Sequence, residues 1–143
     1  MKVSELSGAL LDYWVARTHG WEIDPYRQNH ELQIRIKDPL TYNPDYLHSQ
    51  DGFTYALCGS NRPYSYSPST DWRLGGVIIE CDRITVSDYP APRWRAMFNT
   101  PRPHPDPKRN PSHHCYDGPA PLIAAMRTKV SAHYGDEVPD ELS

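Results

Sequence analysis

Long hydrophobic runs are absent from this 143-residue sequence, and no stretch approaches the roughly 20 apolar residues that cross a bilayer. The first residues also lack the apolar stretch of a secretory signal. Phenylalanine is scarce, with two residues against ten tyrosines and four tryptophans, so most aromatic rings carry a polar group suited to half-buried walls. We therefore expect a cytoplasmic protein with no membrane segment and a small hydrophobic core.

A surplus of positive charge is absent as well. Fifteen lysines and arginines face eighteen acidic residues, for a formal net charge of −3. This balance argues against broad binding to nucleic-acid backbones, which requires a basic surface. Local clusters such as Arg93 and Arg95 can still contact a phosphate.

Motifs for metal, covalent and phosphate chemistry are missing too. The three cysteines are unevenly spaced, so no disulfide framework is indicated. The adjacent His113, His114 and Cys115 cannot easily face one ion, and no Cys-x-x-Cys pair supports a zinc site. Neither the glycine signature of a phosphate loop nor the glycines of a nucleophile elbow occur. We expect no metal, no cofactor and no identifiable catalytic residue.

Hydrophobic periodicity predicts two helices. Apolar residues recur at helical spacing over residues 4–18, where Tyr13 and Trp14 are expected to anchor the core. A second helix is predicted over residues 119–134, because prolines suit its first turn and Gly135 suits its end. Asp117 or Gly118 is the expected amino-terminal cap.

Alternation and β-branched residues predict the strands. Polar and apolar residues alternate over 31–37, and further strands are expected within 77–86 and at 94–98. A short strand is also expected at 53–57. The predicted fold is α+β, with a small, mostly antiparallel sheet and the two helices packed on one face.

A proline-rich segment interrupts this pattern. Five prolines between residues 99 and 117 alternate with arginine, histidine and lysine, which favours an extended chain that cannot enter a sheet interior. We expect a mobile, exposed excursion between a strand and the second helix, within a single domain spanning residues 1–143.

The stretch from Tyr66 to Gly76 is the most promising binding element. It combines hydroxyls, a carboxylate, an indole and a double glycine, which suits an ordered loop that holds a planar, polar molecule. The amino end of the second helix adds amides that favour an anion. The candidate ligand-binding residues are Ser67, Ser69, Thr70, Asp71, Trp72, Asp117 and Gly118.

A purely structural interpretation of the same stretch stays open. Residues 67–71 can form a hydrogen-bonded turn in which Asp71 caps its own backbone. In that interpretation Trp72 fills the core.

Three blocks of the sequence resemble the phage NinX family. They are MKVSELSGALLDYWVAR at 1–17, YSPSTDW at 66–72 with the following Gly75-Gly76 and Ile78-Ile79-Glu80, and GPAPLIAAMR at 118–127 with GDEV at 135–138. The chain departs from the family pattern at Val77, where a proline is more typical. The resemblance implies a small accessory protein of tailed phages or prophages that acts inside the host cell. It implies no reaction.

These observations favour a non-enzymatic protein that binds a small nucleotide-like ligand, with sequestration of a host immune signal as one use. Two alternatives stay open. One is an enzyme acting on a nucleotide-like metabolite, with Asp71 as acid or base. The other is an interaction module in which the proline-rich residues 99–111 inhibit a host protein. A homo-oligomer is compatible with each of the three.

Overall fold

A computed structural model describes residues 1–20, 23–28, 31–36, 64–88 and 90–140, with the backbone alone for 23–28, 31–36 and 64–65. Within these ranges three α-helices accompany two three-stranded antiparallel sheets. The predicted α+β class is confirmed. No helix in the described ranges is long and apolar enough to cross a membrane.

The elements follow one another along the chain in a mixed order. They are a 3-10 helix at Val3–Glu5, α1 at Gly8–Thr18, β1 at Ile23–Gln28, β2 at Glu31–Ile36, β3 at Tyr64–Ser65, α2 at Trp72–Asp82, β4 at Ile84–Asp88, β5 at Trp94–Phe98, β6 at Tyr116–Gly118 and α3 at Pro121–Tyr134.

Each sheet is built from strands in sequence order. The first sheet has the order β1-β2-β3, and the second has the order β4-β5-β6. In the second sheet Ile84 pairs with Phe98, and Trp94 pairs with Gly118. The strands predicted near 31–37 and at 94–98 are therefore present, as β2 and β5. The strand predicted at 53–57 lies outside the described residues.

The core lies between α1, α3 and the second sheet. Trp14 of α1 is only 1% exposed, and its ring meets Tyr13 and Tyr134 edge to face at 5.0 and 5.1 Å. Phe98 and Ala96 of β5 are equally buried and belong to the same cluster. The prediction that the two aromatic residues of α1 anchor the core is confirmed.

The prediction that residues 77–79 enter the core as a strand is wrong, because they lie in α2. Asp71 caps this helix, and Leu74 and Ile78, one turn apart, are buried. Arg83 ends it in the left-handed conformation. Burial of this helical stripe outweighs the modest strand preference of the Val-Ile-Ile run. The later part of the predicted strand is correct, since Ile84 opens β4.

The predicted cap of the last helix is also wrong. Ala120 occupies the N-cap position of α3 and makes no side-chain capping bond. Asp117 and Gly118 instead belong to β6, where Asp117 pairs with Arg95 across the sheet. The second predicted helix therefore begins at Pro121, after a short strand.

The proline-rich segment runs between β5 and β6, not between a strand and the last helix. The backbones of Arg102 and Ser112 exchange two hydrogen bonds of 2.8 and 3.0 Å across it. Arg109 forms an ion pair with Asp136 at 3.0 Å, beyond the end of α3. The mobility of this segment and the single-domain organisation stay predictions.

Candidate functional site

The turn before α2 is anchored on α1. The backbone amide of Ser69 donates to the Asp12 carboxylate at 2.8 Å, and both residues are buried. The Ser69 hydroxyl lies 3.5 Å from the carbonyl of Gly8, so it faces the interior. Burial raises the pKa of Asp12 to about 7, although hydrogen bonds from Ser69 oppose the rise. Ser69 therefore serves the fold and offers little to a ligand.

Asp71 performs the capping role that the structural interpretation assigned to it. Its carboxylate accepts the Arg73 amide at 2.9 Å and forms an ion pair with the Arg73 guanidinium at 3.2 Å. Slight burial tends to raise the pKa of Asp71, but the hydrogen bonds and the charge of Arg73 outweigh it, so the pKa is lowered. An ionised, hydrogen-bonded carboxylate is a poor general acid at neutral pH.

Thr70 and Ser67 flank Ser69 in this turn and are less buried than it is. Thr70 is exposed, and its hydroxyl lies 3.5 Å from the Ser67 carbonyl. Ser67 is half-buried, and its carbonyl also accepts the amide of Asp71 at 2.9 Å. Thr70 is thus the hydroxyl of this turn that is most open to a ligand.

Trp72 does not fill the core. Its side chain is 57% exposed, and it is one of two large hydrophobic residues exposed within the described ranges, with Met1. The indole lies along α2 beside Gly76, where an added Cβ would sit 3.7 Å from the ring atom Cε3. Because Gly76 has no side chain, the ring has room to rest against the helix backbone one turn farther along α2.

Asp117 is paired with a neighbouring strand. Arg95 donates to its two carboxylate oxygens at 2.7 and 3.2 Å, a bidentate pair between β5 and β6. The hydrogen bond from Arg95 lowers the pKa of Asp117, with a smaller contribution from the charge of Arg93. The Asp117 carboxylate is therefore ionised, and the guanidinium of Arg95 balances its charge.

Gly118 has a packing role. A Cβ at this position would lie 2.9 Å from the Ala124 amide nitrogen and 3.1 Å from Cγ2 of Ile123. Only glycine allows β6 to approach the first turns of α3 this closely.

The two halves of the candidate site flank the amino-terminal turns of α3. Leu122 packs on Gly75 of α2, while Ile123 and Ala124 pack on Gly118. No hydrogen bond or ion pair between described residues joins Asp71 directly to Asp117. The structure thus brings the halves to one helix end without merging them.

Two buried charged residues near the candidate site, Asp12 and Arg127, were not identified from the sequence. Arg127 is 7% exposed and donates to the carbonyls of Leu6 and Asp117, both at 2.8 Å. Asp12 holds the turn described above. Asp12 is a lone charge within the apolar stretch of α1, which is a signal that sequence inspection can detect.

A family model described as "Bacteriophage P22, NinX" matches residues 2–132, which include every residue of the candidate site. No curated protein sequence matches the chain.

Proposed function

Because the chain belongs to the bacteriophage P22 NinX family, we propose that it is a phage accessory protein that binds a small nucleotide-like ligand in the host cytoplasm. The proposal includes no transformation of the ligand. Such a protein is suited to sequestering a signal nucleotide of host immunity. The observation that carries the proposal is the exposed indole of Trp72.

An exposed tryptophan at a helix start is a natural platform for a planar base. Tryptophan is highly buried on average, whereas Trp72 is 57% exposed. Any nucleic-acid base can stack on an aromatic ring, and this stacking contributes about 1–3 kcal/mol to binding. Arg73, the next residue, has a side chain that is 65% exposed, and its guanidinium is paired with Asp71.

The second half of the site suits the sugar and phosphate. Ala120, the N-cap of α3, makes no side-chain bond, and the positive end of this helix favours an anion. Arg93 is exposed in the same region and interacts electrostatically with Asp117 and Arg127. The Asp117 carboxylate can accept hydrogen bonds from sugar hydroxyls.

Binding without turnover agrees with the state of the carboxylates. Asp71 is engaged by the amide and guanidinium of Arg73, and Asp117 is engaged by Arg95. Each has a lowered pKa, so neither is poised to exchange protons near neutral pH.

Thermal unfolding with a panel of mononucleotides, cyclic nucleotides and dinucleotides tests the proposal. We expect one class to raise the midpoint of the wild-type protein, and Trp72→Ala to weaken its binding about 5- to 150-fold, which is the equivalent of the stacking energy. Trp72→Phe is the matched control, since a smaller ring should retain part of the affinity.

Two results would contradict it. The first is a wild-type protein that binds no member of the panel. The second is full affinity in a folded Trp72→Ala variant. Chromatography of the recovered ligand examines turnover separately, and conversion that is lost in Asp71→Asn would favour the enzyme alternative.

A further inference from the structure

A cleft lies away from the candidate site. It has a volume of about 340 Å³ and lies where the ends of α1, α2 and β5 meet the last turns of α3 and the start of the proline-rich segment. Small-molecule pockets commonly begin at about 300 Å³. Asp82, the last residue of α2, lines it, whereas Trp72 is the first residue of that helix. At 1.5 Å per residue the two places are about 15 Å apart.

Asp82 holds two cations on the wall of this cleft. Its carboxylate forms an ion pair with the ammonium group of Lys129, and its backbone carbonyl accepts a hydrogen bond of 2.7 Å from Nη2 of Arg102. The Arg102 guanidinium also lies over the Phe98 ring, 4.2 Å from its centre. Both cations are therefore fixed before any ligand arrives.

These contacts leave several donors of the cleft unused. Within the described part of the chain, the Arg102 guanidinium donates only through Nη2, and the Lys129 ammonium bonds only to Asp82. The His133 ring touches Tyr134 but has no hydrogen-bond partner among the described residues. Two permanent cations, Arg102 and Lys129, thus line the cleft together with one carboxylate, that of Asp82, and with His133.

The pKa of a neighbouring histidine, His19, is lowered by burial and by the positive charges of this cleft. Burial, followed by the charges of Lys129 and His133, lowers the pKa of His19 to about 3. His19 is therefore neutral at physiological pH and adds no cation of its own.

Stabilisation of the α2 end explains only part of this arrangement. The carbonyl of Asp82 is among the last of its helix, and a cation there is favourable. One N–H of Arg102 satisfies that carbonyl. The remaining donors come from the proline-rich segment and from α3, and they line a space large enough for a small molecule.

We propose that this cleft binds a small phosphorylated molecule, with Arg102, Lys129 and His133 donating to its phosphate group. A guanidinium fork and an ammonium group are the usual protein partners of phosphate oxygens. Ala132 and Pro103 line the same space and can contact the carbon skeleton of the ligand. The site is separate from the nucleotide-like site proposed at Trp72.

An NMR titration of the ¹⁵N-labelled full chain tests this assignment. The probes are inorganic phosphate and glycerol 3-phosphate, with sodium chloride at matched ionic strength and sodium acetate as a carboxylate. We expect both phosphates to produce saturable shifts in the amides of Arg102, Lys129 and His133. Lys129→Gln should weaken phosphate binding at least tenfold, and Lys129→Arg should retain it.

The matched control is Lys108→Gln, which removes one exposed positive charge from the proline-rich segment outside the cleft. The affinity of this variant for phosphate should stay within twofold of that of the wild type. If Lys129→Gln does not fold, His133→Gln replaces it, because this exposed ring forms no ion pair among the described residues.

Three outcomes would overturn the proposal: equal shifts with chloride, equal affinity for acetate, or undiminished phosphate binding in the folded cleft variant. Saturable phosphate binding that depends on Lys129 or His133 supports it. None of these results depends on Trp72, so the two proposed sites are tested independently.

Discussion

The carboxylate of Asp12 on α1 accepts the backbone amide of Ser69 at 2.8 Å, which joins two buried residues 57 positions apart. This bond fixes the turn from which α2 departs. Since Trp72 is the first residue of α2, the placement of the exposed indole depends on a side chain in the core. The candidate site and the stability of the protein are linked through this contact.

Asp12→Asn should change how stability depends on pH. Burial raises the pKa of Asp12 from 3.8 to about 7, so between these values the folded protein keeps a proton that the unfolded chain releases. This carboxyl therefore lowers stability as pH rises through that range, and its effect is constant above about pH 7. The asparagine oxygen can still accept the Ser69 amide.

We expect the variant to gain stability relative to the wild type between pH 4 and pH 8. The gain is about 4 kcal/mol at most, at about 1.4 kcal/mol per pKa unit. Urea unfolding across this range measures it. Asp88→Asn, on the exposed part of β4, is the control and should track the wild type. A constant difference between Asp12→Asn and wild type at every pH would refute the prediction.

The adjacent glycines of α2 should respond in opposite ways to alanine. A Cβ on Gly75 would collide with the Pro68 carbonyl and would lie 2.6 Å from Cδ2 of Leu122. Gly75→Ala should therefore destabilise the protein by about 1–3 kcal/mol. Gly76→Ala meets only the Trp72 ring at 3.7 Å, so its helical preference should stabilise the protein by about 0.5–1 kcal/mol. Chemical denaturation of both variants compares them, and equal effects would show that α2 does not pack on Leu122.

Arg127→Lys should be destabilising although it preserves the charge. The guanidinium uses Nε and Nη1 to reach two carbonyls, on Leu6 and Asp117, and one ammonium group cannot replace both bonds. We expect a loss of about 1–3 kcal/mol, since a buried carbonyl loses its donor. Arg93→Lys, at an exposed position, should change thermal stability very little. Equal midpoints for the two variants would show that Arg127 is not a bridge between these segments.

Prediction from sequence succeeded where local pattern and packing agree. The stripe of α1 and the alternation of β2 each follow from the spacing of apolar residues, and both elements are present. Prediction failed at Val77, where a β-branched run suggested a strand. The capping carboxylate of Asp71 and the four-residue spacing of Leu74 and Ile78 were the competing signals, and tertiary burial favoured them.

The candidate site was predictable only in part. The exposure of Trp72 and the cap formed by Asp71 were both among the interpretations of the sequence. The burial of Ser69 was not expected, because it results from a partner 57 residues earlier in the chain. Likewise, Asp117 looked like a helix cap until its pairing with Arg95 across two strands was known.

By itself, the sequence determined the fold class, the first and last helices and the family, because these depend on residue spacing within short stretches and on contiguous blocks of residues. Tertiary structure decided which polar residues are buried, where α2 lies and how Asp82 gathers Arg102 and Lys129 around one cleft. Such contacts join residues distant in the chain, and their burial and charge pairing are set by packing that no local pattern records.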